Sequence, residues 1–396
     1  MTTSSKLQWI GLAAWGGIVA AGVVACGGGG GSSSATGDGA MRFAVTDAPA
    51  CGYDHVWVTV QKVSVNQNAS ASDTDPGWTD LTLSPAQKID LLSLTNGVLQ
   101  ELGTVPLAAG HYSQVRLVLT SDNSVQPTGG AVTALSTPSG QQSGVKLQVN
   151  ADVAAGQTAD LVLDFDACKS VVKAGNSGQY ILKPVITAVP RIVTGIQGVV
   201  TTTLALSSTT ISAQQDGAVV RSTMPDSSGN FSIPYLSAGT YTVVITSDSR
   251  ATGVITSVPA GSSTTVVSTA ANPIVLPTSS MADVTGTVTA STLTNGTTVT
   301  APVTDATLRA LQALTGGPTI EVANQPADAT LGTYHFRLPM AAPVKAAYGG
   351  TTTLTLTPDA SVAGKYTIEA SAPNRATATK PADVSSAPSA TVNFGY

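Results

Sequence analysis

The sequence predicts an all-β chain of tandem antiparallel β-sandwiches, and three observations predict it. Only 10% of the 396 residues are charged and 5% aromatic, while Gly, Ser, Thr, Ala and Val dominate. That mixture suits short strands and frequent turns rather than helices rich in Leu, Glu and Lys. Apolar residues alternate with polar ones in many short runs, which is the two-residue period of a half-buried strand. Clusters of Gly, Pro, Asn and Asp separate those runs. A chain of this length exceeds one ordinary core, so two or three domains are expected. The net charge is −5 and no Lys/Arg run occurs, which speaks against a nucleic-acid partner.

The amino terminus carries a different signal. Lys6 is followed by an apolar, small-residue stretch from Leu7 to Ala25, the pattern of an export signal, with an uncleaved anchor as the rival. The junction Val23-Val24-Ala25-Cys26 resembles the bacterial lipobox, with Val24 where Ser, Ala or Thr is commoner. That resemblance implies a lipoprotein signal peptide over residues 1–25, a diacylglyceryl group on the Cys26 sulfur and an acylated Cys26 amine. One acyl chain binds membranes only marginally, at about 0.8 kcal/mol per buried CH₂, whereas several anchor the chain stably. Residues 26–39 read as a Gly/Ser tether, long enough to span about 20 Å root-mean-square. Gly27 rather than Asp follows the cysteine; this resembles release to the outer membrane in enteric-type bacteria. The expected location is therefore the outer membrane or cell surface, with the periplasmic side as an alternative.

Residues 40–192 read as the first sandwich. Val56, Val58 and Val60 alternate through one strand, and "IDLLSL", "YSQVRLVLT", "VKLQV", "ADLVLDFD" and "YILKPVITAV" are read as further strands. The segments "VTDAPACGYDHVWVTVQKVSV", "LAAGHYSQVRLVL", "TPSGQQSGVKL" and "LDFDACKSVV" resemble an uncharacterised lipoprotein domain family, domain of unknown function 4382, over most of residues 41–190. The resemblance implies a β-rich exported domain and no assigned activity.

The three cysteines are Cys26, Cys51 and Cys168. In an oxidising compartment Cys51 and Cys168 are expected to pair, with separate buried thiols or a reactive thiol as alternatives. Closing so long a loop would stabilise the fold by about 4–5 kcal/mol in the chain-entropy picture. Such a bridge would draw Asp47 and Asp54 towards Asp164 and Asp166, a carboxylate cluster of the kind that holds Ca²⁺. The competing expectation gives Asp47 to a turn, Asp54 to a strand end, and Lys169 as a neutralising neighbour. His55 and His111 read as ordinary hydrogen-bonding residues. "DTDPGW" (73–78) imitates a calcium loop, but its twelfth position is Ser84 rather than Glu.

Residues 195–276 read as a second sandwich. Asp216-Gly217 has the form of a two-residue hairpin turn, and Gly229 in "DSSGNF" marks another tight turn. With "LSAGTYTVVI", where Tyr241 is expected in the core, the segment resembles the carboxypeptidase regulatory-like domain. That resemblance implies a prealbumin-type sandwich beside the immunoglobulin-like first one. Residues 271–282 read as a linker. In 283–396, "DVTGTVTAS", "GTYHFRLP" and "AGKYTIEASAP" are similar to stretches of the second segment, so a diverged third sandwich with a longer middle is expected, arranged as beads in a row. Within it "TDATLRALQAL" spaces Leu308, Leu311 and Leu314 like a helix, but its place in the repeat favours a strand.

No nucleophile elbow, HExxH, phosphate-cradling loop or zinc spacing occurs, and the only glutamates are Glu101, Glu321 and Glu369. No cofactor is expected apart from the Ca²⁺ alternative. The reading is a lipid-anchored envelope or surface protein with a structural, adhesive or ligand-binding role and no catalysis, its partner an envelope protein or a glycan. Two alternatives stand beside it: a carbohydrate-binding module protein, and an extracytoplasmic hydrolase with an unrecognised site in residues 40–192.

Overall fold

In the computed structural model the described residues are 38–47, 52–137, 143–192, 194–261 and 263–396. The expected signal peptide, Cys26, most of the tether and Cys51 lie outside them. The first strand, Asp38–Asp47, begins inside the expected tether, so Asp38 and Gly39 belong to the sheet.

Alternation does in three dimensions what it did in sequence. Val56, Val58 and Val60 are fully buried on one face of Tyr53–Asn66, against Met41, Phe43 and Val45 from the opposing sheet. Burying each such side chain stabilises the fold by roughly 1.5–3 kcal/mol. One sheet of this first sandwich runs Ile186–Pro190, Thr158–Phe165, Asp38–Asp47, Gln100–Ala108; the other centres on Tyr53–Asn66 and Gly110–Leu119. The sandwich is not purely antiparallel, because Asp38–Asp47 lies parallel to Thr158–Phe165.

Two strand expectations are corrected. "IDLLSL" ends its strand at Asp90, whose carboxylate accepts from Leu92 N and turns Leu91–Leu94 into a short 3₁₀ helix. "YILKPVITAV" splits into Gln179–Leu182 and Ile186–Pro190, which enter different sheets. Pro184 lies between them and has no N–H to give a ladder.

The second sandwich opposes a sheet containing Gly195–Val199 and Asn230–Pro234 to one containing Thr210–Gln215, Gly239–Thr246 and Gly253–Ala260. Asp216 and Gly217 both take positive φ, 50° and 74°, as the two-residue hairpin requires. Gly229 has φ +83° and a Cβ there would sit 2.1 Å from the Val200 carbonyl, so only glycine fits. The expected linker 271–282 is instead stitched into this sandwich. Ile274 N donates to Val199 O, and Ile274 and Leu276 are buried in its core.

In the third sandwich Met281–Thr294 and Thr333–Pro339 face Thr307–Ala313 and Lys365–Ser371. Thr307–Ala313 is a strand, with Leu308, Ala310 and Gln312 buried at period two. Its longer middle leaves home: Val344–Ala347 pairs in parallel with Gly253–Thr256, so the second sandwich's sheet is completed by third-segment residues. Residues Gly37–Tyr396 form one compact unit, not beads in a row.

A recurrent corner supports the strands. In Gly110-His111-Tyr112 and Gly239-Thr240-Tyr241 the buried tyrosine hydroxyl donates to the carbonyl four residues earlier, Ala108 at 3.0 Å and Ser237 at 2.9 Å. In the third sandwich the equivalent Tyr334 and Tyr366 reach across to Val392 and Pro339 carbonyls instead. Tyr112→Phe and Tyr241→Phe are each expected to lower unfolding free energy by about 1 kcal/mol. Urea titration checks this, with the midpoint falling and the slope unchanged.

Candidate functional site

Polar side chains tie each of the three sandwiches to the other two. First and second are tied by Asn96, whose Oδ1 accepts from Ser232 N at 3.1 Å, and by a buried ion pair of Asp164 with Arg221 at 3.1 Å. Second and third are tied by Gln214, whose amide mimics a backbone strand. Its Nε2 donates to Glu321 O and its Oε1 accepts from Glu321 N, both at 2.8 Å. Arg309 then grips Glu321 at 2.6 Å and Glu369 at 2.8 Å, and its guanidinium also donates to the Gly217 carbonyl across the boundary. First and third are tied by Asp328, which accepts from Gly175 N at 2.9 Å, and by Ala329 N donating to Lys173 O at 3.1 Å.

Two clefts open at this junction. The larger, of about 720 Å³, lies between the first and third sandwiches. Tyr53, Cys168, Val172 and Lys173 form one wall, and Thr285, Thr287, Asn324, Gln325, His335 and Asn393 the other. The smaller, of about 190 Å³, takes Asp166, Cys168 and Lys169 from the first sandwich, Ser212 and Ser222 from the second, and Glu321 and Asn324 from the third. Cys168 and Asn324 line both. Burial pushes the Tyr53 hydroxyl up to about 12, so it stays a neutral phenol at the cleft wall.

The four aspartates of the Ca²⁺ alternative each meet a separate partner. Asp47 Oδ1 accepts from Ala167 N, and Asp54 Oδ2 accepts from Gly129 N. Asp166 stands beyond the strand end, capping the helical turn Ala167–Ser170 and pairing with Lys169 at 2.8 Å. Asp164 turns to Arg221. Each carboxylate thus answers its own donor or cation, and no group of three or more metal-ligating side chains occurs among the described residues. The 73–78 loop is likewise structural: Trp78 Nε1 donates to Ser72 O, and Arg116 lies over the Trp78 ring.

The histidines behave as hydrogen-bonding residues. His55 stacks on Trp57 with ring centres 4.7 Å apart and bonds Asp90; His111 bonds Asp152 and His335 bonds Asp283. Among the described residues each of the three rings bonds a carboxylate, and no hydroxyl or thiol bonds any of them. Asn324, Gln325 and Arg221 were not singled out in the sequence. The available signal was "ANQP", a polar run that interrupts the alternation of Thr319–Pro326 on an edge strand.

A family model described as a domain of unknown function, DUF4382, matches residues 38–184. The curated proteins gave no match. Among solved structures, the Bacillus anthracis TIE protein is similar at 12% identity, over 91% of this chain and 51% of that one, with a TM-score of 0.18. The chain spans about half that protein's length. BcpA, the major pilin subunit of Bacillus cereus, is similar at 11% identity over 90% and 99%, TM-score 0.15. The Corynebacterium diphtheriae major pilin SpaA is similar at 10% over 90% and 99%, TM-score 0.17.

Burial raises the Asp164 carboxyl from 3.8 to about 6, against the opposing pull of Arg221. The folded chain therefore binds that proton more tightly than the unfolded chain, and its contribution to stability declines as pH rises from about 4 to about 6. Asp164→Asn is expected to flatten that decline, read as urea midpoints at pH 4.5 and 7. A variant whose midpoints track the parent's would contradict it.

Proposed function

We propose that the chain is a lipid-anchored protein of a bacterial outer membrane or cell surface, with a structural, adhesive or ligand-binding role and no catalysis. The observation that carries this reading is the apolar run ending in Val23-Val24-Ala25-Cys26, followed at once by glycine and serine. The first strand then starts at Asp38, so acyl chains on Cys26 would hold the sandwiches through a short polar leash. The match of residues 38–184 to a domain family supports a module placed directly after that leash.

Three modules belong to the proposal: residues 40–192, the carboxypeptidase regulatory-like 195–276, and 283–396, the last lending residues 344–358 to the second. So does the Cys51–Cys168 disulfide. One observation supports it: Asp47, whose carboxylate accepts from Ala167 N, and Tyr53, which lines the same cleft as Cys168, flank Cys51 in the sequence.

Mass spectrometry of the protein from its native host is expected to find Cys26 as the first residue, carrying a thioether-linked diacylglycerol and an amide-linked acyl chain. Cys26→Ser is expected to move the protein into the soluble fraction. A retained Met1, or an unmodified Cys26, would overturn the reading.

A further inference from the structure

We infer that Asn295 is a site of spontaneous covalent modification. Its side-chain amide cyclises onto the backbone nitrogen of Gly296 and is lost as ammonia, leaving aspartate or isoaspartate at the tip of an exposed hairpin. The inference is independent of the lipid anchor and of the proposed role.

The chain holds two Asn-Gly pairs, Asn96-Gly97 and Asn295-Gly296. Glycine has no side chain to shield its backbone nitrogen, which stands one residue on from the asparagine amide carbon. Both pairs form the centre of a tight turn. In the first, Val98 N donates to Thr95 O; the second joins Met281–Thr294 to Thr297–Pro302. All four residues take positive φ, 60° and 77° in the first pair, 51° and 78° in the second. Dipeptide and turn are therefore matched, and the surroundings differ.

Asn96 is held. Its Oδ1 accepts from Ser232 N at 3.1 Å and from Thr223 Oγ1 at 3.0 Å, and its own N donates to Thr223 Oγ1 at 3.0 Å. A Cβ on Gly97 would sit 2.6 Å from the Pro234 ring. These contacts join the first sandwich to the second, so opening this turn means parting them.

Asn295 has no such hold. Every residue from 291 to 302 is exposed, Leu293 and Val299 among them at 76% and 49%. The core of the third sandwich ends at Ala290 on one strand and Val303 on the other. Thr297–Pro302 pairs with Met281–Thr294 alone. Asn295 makes no side-chain hydrogen bond among the described residues, and a Cβ on Gly296 would meet nothing within 4 Å. Few buried contacts and an exposed ladder make local opening easy.

The reaction is intramolecular, so proximity does most of the work. Gly296 N attacks Asn295 Cγ and a C–N bond forms. The nitrogen's proton passes to the side-chain amide, the Cγ–Nδ2 bond breaks, and ammonia leaves. Water then adds to either carbonyl of the five-membered imide. Opening at one carbonyl gives aspartate; opening at the other gives isoaspartate, whose backbone is one methylene longer. Closing the ring requires the asparagine ψ to leave its turn value, so the rate follows the open fraction of the turn. The product puts a carboxylate into residues 284–304, which hold no charged side chain. Isoaspartate also lengthens the two-residue turn that sets Thr294 opposite Thr297.

The test is peptide mapping by mass spectrometry of the full chain, kept folded in warm, mildly alkaline buffer, beside a sample in urea. Each folded rate is divided by the rate at the same site in urea, which removes the influence of neighbouring residues. That ratio is expected to be at least about tenfold larger at Asn295 than at Asn96, in line with the three hydrogen bonds that hold Asn96. Isoaspartate is expected at 295 along with aspartate. Asn295→Gln, whose longer side chain cannot close the five-membered ring, should abolish the change at 295 and leave the unfolding midpoint of fresh protein unaltered. The two donors on Asn96 Oδ1 also polarise its amide carbon; if polarisation rather than opening set the rate, Asn96 would react first. An equal or larger ratio at Asn96, an Asn295 that stays intact in the folded chain, or aspartate without isoaspartate would overturn the inference.

Discussion

The parallel pairing of Val344–Ala347 with Gly253–Thr256 governs the rest of the architecture. It carries a stretch of the third segment out of its own sandwich and onto the open edge of the second, where an uncovered strand would otherwise present unpaired backbone. The excursion is secured at several points. Val344 is buried in the second core with Tyr348, Leu354 and Leu356 against it, and the Tyr348 hydroxyl donates to Val266 O. At its far end Asp359 binds Lys345 at 2.8 Å and accepts from Thr315 N, and the Lys345 ammonium helps hold its carboxyl down at about 2. The second sandwich's sheet is incomplete without this third-segment strand.

The polar junction follows from that exchange. With the second and third sandwiches locked, Gln214 meets the backbone of Glu321, and Arg309 can grip two glutamates and a carbonyl across the boundary. The first sandwich is then held by Asp164 on Arg221 and by Gly175 on Asp328. Asp164 and Arg221 are both largely buried, and Arg221 Nη1 has no partner among the described residues. Buried pairs of this kind set geometry more than they add stability. The clefts are a property of the arrangement and of no single sandwich, since each takes its lining from at least two of them.

Short-range physics was legible in the sequence. Val56, Val58 and Val60, the Asp216-Gly217 turn and Tyr241 in the core all follow from spacings of a few residues, and the structure places them as expected. Where a single residue redirects the chain, alternation misled: Asp90 caps a 3₁₀ turn, and Pro184 breaks a strand in two. Long-range partners were not legible at all. Residues 271–282 have the composition of a linker, and nothing local marks Ile274 and Leu276 as core. The carboxylates Asp47, Asp54, Asp164 and Asp166 looked like a cluster because their separate partners, Ala167, Gly129, Arg221 and Lys169, lie mostly far off in sequence. Asn324 and Gln325 draw notice only once the opposite wall of their cleft is in place.

Because the second and third sandwiches share a sheet and polar side chains tie the first to both, the three should melt together. Differential scanning calorimetry of the full chain tests this most directly. The interlocked junction predicts one transition whose calorimetric and van't Hoff enthalpies agree. Separate transitions, above all one in which the second sandwich unfolds while the third stays intact, would contradict it.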